Sequence, residues 1–127
     1  MNQSRELHST IICLQADKLL LVRKESTEWS LPGGRIDPGE TQIEAARREL
    51  KEGTGLALSE AQFLGHHVLE EEEHWLQRIA VPPAMEPHPS HGKAECLWIS
   101  IHELNQIQVK PTDIELLRRE GIITMRG

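Results

Sequence analysis

Gly33-Gly-Arg-Ile-Asp-Pro-Gly-Glu40-Thr-Gln-Ile-Glu-Ala-Ala-Arg-Arg48-Glu-Leu-Lys-Glu-Gly-Thr-Gly-Leu56 joins a glycine turn to a segment of helical period with an acidic flank. Thr41-Gln-Ile-Glu44 is a capping box, in which the Thr41 hydroxyl and the Glu44 carboxylate satisfy free amides at a helix start. Pro38-Gly39 before it is turn chemistry, and Gly55 is a left-handed stop. A helix is therefore predicted over residues 42–54. At about 100° per residue, Ile43, Ala46, Leu50 and Thr54 fall on one stripe that should face a core, with Glu44, Arg48 and Lys51 toward water. Glu49 and Glu52 lie roughly 60° apart on one flank, and Glu49 borders the apolar stripe. A carboxylate there is costly unless it is paired or coordinates a cation. Glu40 reaches the same edge from the preceding turn. Hard oxygen ligands clustered in this way suit Mg²⁺ or Mn²⁺, which usually hold a substrate phosphate as well. Taken alone, the helix reads equally as an amphipathic surface helix with pairs such as Glu44–Arg48.

The turn before the helix shifts that balance. Trp29-Ser-Leu-Pro-Gly-Gly34 sets two glycines against the helix entry, where backbone approaches a ligand closely. The whole stretch resembles the signature box of the Nudix hydrolases: Gly, five residues, Glu, seven residues, then Arg-Glu-aliphatic-X-Glu-Glu-X-Gly-aliphatic. Gly34, Glu40, Arg48, Glu49, Leu50, Glu52, Gly55 and Leu56 fall in place, and Gly53 departs where the pattern has a second Glu. The resemblance implies an α/β/α sandwich with a mixed β-sheet between helices. It also implies divalent-metal-dependent hydrolysis of a nucleoside diphosphate linked to another group, with Mg²⁺ or Mn²⁺ as cofactor. By the same resemblance Glu49 is metal ligand or general base, and Glu52 a metal ligand. Glu40 and Gly34 complete the metal shell, and Arg48 braces the loop by pairing with a carboxylate. Arg23, Gly33 and Gly34 are placed at the substrate, and Glu95, in Glu95-Cys-Leu-Trp98, stands where many relatives carry a further acidic metal ligand.

Gly53 removes one carboxylate from that set. Disturbing even an outer partner of a metal costs roughly 10–100-fold in affinity or activity, so losing a direct ligand should cost at least that. Glu95 or the run Glu70-Glu-Glu-Glu73 could compensate. For the run a solvated charged turn is the better reading, because Glu is rarely buried unpaired.

The remaining sequence fits one domain over residues 1–127. Residues 9–14 and 18–22 read as strands joined at Ala16-Asp17, with three more at 63–69, 75–81 and 96–99. Ser100-Ile-His-Glu103 and Thr112-Asp-Ile-Glu115 offer further capping boxes, the second opening a helix that stops near Gly121. The α/β order of elements is that of a sheet between helices. Cys13 and Cys96 are single residues within strands and read as reduced core thiols. With no apolar run of membrane-spanning length and no signal-peptide pattern, the expectation is a cytoplasmic protein without a membrane partner. A net charge of −6 without a basic stripe argues against long nucleic acid. Core packing is the default for Trp29, Trp75 and Trp98. Four of the seven prolines sit in the loop 82–93, a lid or a passive excursion. His88 and His91 in that loop make a weak zinc pair.

Features that subdivide the Nudix family toward ADP-ribose, dinucleoside polyphosphates, coenzyme A or NADH are missing. By elimination, the substrate expected is a small nucleotide, a nucleoside triphosphate first. A nucleotide-binding or sensing module with catalysis weakened by Gly53 is the alternative, and a metal-independent interaction domain is a weaker third. Many relatives are dimers, so a homodimer is compatible, although no patch in the sequence marks an interface.

Overall fold

In the computed structural model, which describes residues 5–57, 60–88 and 94–124, six strands form one mixed sheet between two helical layers. The order along the chain is β1 (Glu6–Gln15), β2 (Lys18–Lys24), β3 (Gly33–Arg35), α1 (Gln42–Thr54), β4 (Gln62–Val68), β5 (Glu72–Ala80), β6 (Ala94–Ser100), a 3₁₀ turn (Ile101–Gln106) and α2 (Pro111–Arg119). Across the sheet the order is β4-β5-β1-β2-β6, with β3 beside β1. Strands β1 and β5 run parallel, and the other pairs are antiparallel.

Strand β1 divides one of its edges between two partners. Its start pairs with β3, His8 opposite Arg35 and Thr10 opposite Gly33, while its end pairs with β2 through a tight turn. Ala16 takes left-handed backbone in that turn, at φ 56°. This division lets β3 lead directly into the segment before α1.

Alternation along the strands fills a core on each face. Ile11, Cys13 and Leu20 point to α1, where Ala46 and Leu50 meet them. Ile12, Leu19 and Leu21 point the other way, toward Leu116 and Leu117 of α2. Fully burying a leucine is worth roughly 1.5–3 kcal/mol, so each face is held chiefly by a few such side chains. Both cysteines are free, with Cys13 buried and Cys96 half-buried. Burial pushes the Cys13 thiol up to about 12 and the Cys96 thiol to about 11. Among the described residues no helix is long and apolar enough to cross a membrane.

Helix α1 has the bounds that its sequence predicts. Thr41 accepts from Glu44 N–H, Glu44 accepts from Thr41 N–H, and Gly55 closes the helix at φ 76°. Its apolar stripe differs by one residue. Ile43 is exposed, and Ala45 is buried instead. Nor does Arg48 face open water, since it is drawn into a carboxylate cluster. Glu44 is engaged in its cap rather than with Arg48.

The second capping box is not formed. Helix α2 starts at Pro111 with Lys110 as an N-cap that makes no side-chain bond, and Glu115 pairs instead with Arg118 and Arg119. Proline's fixed φ suits the first helical position, so it opens the helix one residue before Thr112. In the proline-rich loop, His88 N–H donates to Thr54 O at 2.6 Å, bringing backbone so close that a Cβ on Gly55 would collide with it. His91 lies outside the described residues, so the histidine pair has no structural account.

Candidate active site

Strand β3 and helix α1 bring the box residues to one edge. Gly33, at φ 140°, lies so close on β1 that a Cβ would collide with the Ser9 carbonyl. The next residue meets the acid itself. A Cβ on Gly34 would sit 2.6 Å from Glu49 Cδ, so the glycine is what allows that carboxylate to rest against the backbone.

Arg48 gathers the acids around it. Its Nε donates to Glu40 Oε2 at 2.7 Å and its Nη2 to Glu40 Oε1 at 3.0 Å, a two-pronged pair. Nη1 donates to Glu49 Oε1 at 2.8 Å and more weakly to Glu52 Oε1 at 3.5 Å. Nη2 also donates to the Arg35 carbonyl and lies 3.4 Å from Asp37 Oδ2. The hydrogen bond from Arg48, then that from Asp37 N–H, holds the Glu40 carboxyl down at about 2. Glu49 moves in the opposite direction. Burial raises it, against the pull of Arg48. A carboxylate resisting ionisation beside one that ionises readily is the electrostatic pattern of a functional cluster.

The edge opens into a cavity of about 340 Å³ lined by Arg23, Lys24, Gly33, Glu49, Glu52 and Gly53 among others. Carboxylates line one side and cations the other. Gly53 leaves open space, since a Cβ there would meet nothing within 4 Å. A larger hollow of about 670 Å³ beside α2 is lined mainly by Ile101, Leu104, Ile107, Val109, Ile114 and Ile122 and holds no carboxylate, so it lacks the chemistry of the smaller one.

Glu95 is held by Arg23. It faces Arg23 across the β2–β6 pair and accepts from its Nε at 3.0 Å and Nη2 at 3.1 Å, which lowers the Glu95 carboxyl. Arg23 also lies 4.2 Å over the Trp29 ring, so the guanidinium is held from two sides. The acidic run is placed elsewhere: Glu72 accepts from His74, Glu73 pairs with His66, and Glu70 and Glu71 are exposed. Of the tryptophans, Trp29 and Trp98 pack on the two cores, while Trp75 stacks on His66 with ring centres 4.3 Å apart.

Sequence reasoning missed Asp113. Its carboxylate is buried under α2 and accepts from Leu31 N–H at 3.1 Å, which ties α2 to the strand-like entry into β3. Burial pushes its pKa up to about 6, against that hydrogen bond. One signal was present: Asp113, Leu116 and Leu117 share one face of α2, where an acid is out of place. Lys24, on the cavity wall, was also missed.

The model of the NUDIX domain matches residues 5–119. CTP pyrophosphohydrolase of Escherichia coli (strain K12) is 28% identical over 117 residues, covering 87% of this chain and 85% of that protein. Phosphatase NudJ of Escherichia coli O1:K1 / APEC is 30% identical over 112 residues, covering 78% and 72%. Two Bacillus subtilis (strain 168) relatives are 39% and 52% identical over shorter stretches, and the chain spans only 38% and 31% of their length. The NUDIX domain of Shewanella oneidensis NrtR, solved with ADP ribose, superposes with a TM-score of 0.79 at 16% identity, over 96% of this chain and 91% of that one.

Proposed function

The chain belongs to the NUDIX-domain family, and from that premise we propose that it hydrolyses a phosphoanhydride bond in a nucleoside triphosphate or a related nucleoside diphosphate derivative. The carrying observation is the Glu49 carboxylate resting on Gly34 backbone, with Glu40 and Glu52 gathered beside it by Arg48. That donor set fits Mg²⁺ or Mn²⁺: several carboxylate oxygens, glycine backbone within reach, and an open cavity for phosphate and water. Glu49, Glu52, Glu40 and the Gly34 carbonyl would hold the ion. When bound, such an ion neutralises diphosphate charge and makes an attacking water more acidic.

The protein's own groups have separate tasks. Arg48 keeps mutually repelling carboxylates together, so their arrangement exists before substrate arrives. Glu49, made a stronger base by burial, is the group suited to accept a proton from water. Arg23, stacked on Trp29, offers a planar fork to phosphate oxygens, and Lys24 adds charge on the same wall. A triphosphate is favoured because an Escherichia coli CTP pyrophosphohydrolase matches across most of both chains.

A second reading is favoured by Gly53, which leaves the last turn of α1 one carboxylate short. Here the same cavity binds nucleotide without consuming it. The deciding experiment measures phosphate release, coupled to pyrophosphatase, over nucleoside triphosphates, ADP-ribose and dinucleoside polyphosphates with Mg²⁺ or Mn²⁺. Gly53→Glu is assayed in parallel, since its side chain would enter open space. Metal-dependent turnover by the parent protein supports the hydrolase. Turnover by Gly53→Glu alone, with nucleotide raising the parent's Tm, supports the binding module.

A further inference from the structure

Away from the α1 edge, the starts of β1 and β5 assemble a second cluster. They pair in parallel, with Glu6 opposite Glu72 and His8 opposite His74. The alternation of β1 places this cluster on the α2 face. Ser9 turns to α1, its Oγ donating to the Gln42 carbonyl at 2.8 Å, so its neighbours His8 and Thr10 point the other way. Ligand atoms of Glu6, His8 and Glu72 all lie within 4.8 Å of one another. His8 Nε2 is 3.1 Å from Glu6 Oε1 and 3.8 Å from Glu72 Oε2. These separations bracket the edge of about 3.3 Å expected between ligands of a tetrahedral ion bound at 2.0–2.1 Å.

A buried chain of polar groups stands behind Glu72. Its Oε1 is 2.8 Å from His74 Nε2, and His74 Nδ1 is 2.8 Å from Thr10 Oγ1. The carboxylate accepts from an N–H at Nε2, and in the neutral imidazole of that tautomer Nδ1 accepts from the Thr10 hydroxyl. His74 and Thr10 are only 4% and 3% exposed, so this chain is fixed rather than solvated. It holds one oxygen of Glu72 and leaves the other facing His8. Stacking of the His8 and His74 rings, with centres 5.0 Å apart and planes 21° from parallel, fixes the first imidazole as well. An orienting partner behind a ligand is what metal sites use to hold their ligands. His8 Nε2 is hydrogen-bonded to Glu6 and ion-paired with the free oxygen of Glu72, so one imidazole nitrogen already sits between two carboxylates where an ion would replace its proton.

We propose that Glu6, His8 and Glu72 form a second divalent-metal site, distinct from the α1 carboxylate edge, with His74 and Thr10 as its orienting groups. One imidazole nitrogen and two carboxylate oxygens suit a borderline transition ion such as Zn²⁺, with the fourth position left to water or an incoming ligand. Arg35, 3.9 Å from Glu6, and Lys110, which acts electrostatically on Glu72 and His74, now balance the two carboxylates. Metal binding would relieve Arg35 and Lys110 of that role. The ion would stitch together the first residues of two strands that lie far apart in sequence.

The test uses protein carrying Glu49→Gln and Glu52→Gln, so that the α1 edge keeps only Glu40 of its three carboxylates. Zn²⁺ titration by calorimetry and Co²⁺ titration by visible absorption should each show one equivalent bound. Adding His8→Ala should abolish saturable binding. Adding His74→Ala should weaken it about 10–100-fold, as expected for loss of an outer partner. Glu72→Gln is the folding-safe companion, since the amide still accepts from His74, and it too should lose the ion while far-UV circular dichroism is unchanged. No saturable binding in the starting protein would overturn the proposal, as would binding indifferent to both His8→Ala and Glu72→Gln. Nucleotide turnover plays no part in this readout, so the hydrolase reading and the second site can fail separately.

Discussion

Helices α1 and α2 flank the same sheet, yet they handle acidic side chains by opposite means. On α1 the acids are gathered by Arg48, and Glu40, at its N-terminal entry, is so well paired that its pKa falls to about 2. On α2, Asp113 is sealed in the core with one backbone N–H for company, and its pKa rises to about 6. The first arrangement keeps charge at an open edge, where a cation or phosphate can reach it. The second spends charge on tying α2 to Leu31, two residues before the glycines of the box. One helix displays its acids and the other uses its acid as an internal brace.

The comparison is first broken by cavities. Leu50→Ala and Leu117→Ala remove fully buried leucines from opposite faces, and each should cost roughly 2–5 kcal/mol in chemical unfolding. Only Leu50→Ala should also lower turnover well below the folded fraction, because Leu50 anchors the turn that carries Glu49 and Glu52.

Asp113→Asn sharpens the electrostatic half. A carboxyl raised from 3.8 to about 6 on folding takes up a proton in the folded state at a pH where the unfolded chain has released it. Its contribution is therefore most favourable below pH 3.8 and is lost as pH rises through about 6. The parent minus Asp113→Asn stability difference should fall by on the order of 3 kcal/mol between pH 4 and pH 7. Glu40 has the reverse sign: its stabilisation is present above its ordinary value of 4.5 and is lost as pH falls through about 2. A pH-independent difference for Asp113→Asn would mean that the carboxyl titrates alike in the folded and unfolded chains, so that burial does not raise it.

Smaller effects follow at the ends of α1. Thr41→Ala removes the cap acceptor for Glu44 N–H and should cost about 1 kcal/mol. Gly53→Ala fills open space in the last turn and should gain roughly 0.5–1 kcal/mol in thermal or chemical unfolding.

The same contrast explains how much could be read from the sequence. Helix α1 was legible to the residue because its signals are local: Thr41 and Glu44 close a box within one turn, and Gly55 ends it. The box acids too lie within one turn-and-helix unit, so their meeting followed from spacing. Helix α2 was less legible, since Pro111 overrode the capping pattern of Thr112 and Glu115. Asp113 bonds to a residue 82 positions away, and Thr10 to His74 across 64. Such partners are set by strand order and register, which local patterns do not encode. Ile43 is exposed and Ala45 buried, as helical period gives the width of a face only to within a residue of its edge.

The central claim is that the Gly34–Glu49 edge performs metal-dependent hydrolysis, and Glu49→Gln tests it most directly. Pyrophosphatase-coupled turnover of the best nucleotide should be measured for both proteins, with Tm recorded alongside. The account predicts a fall of about 10²–10⁴-fold, the range for loss of a positioned general base, with the protein still folded by its Tm. Undiminished turnover by a folded Glu49→Gln protein would contradict it.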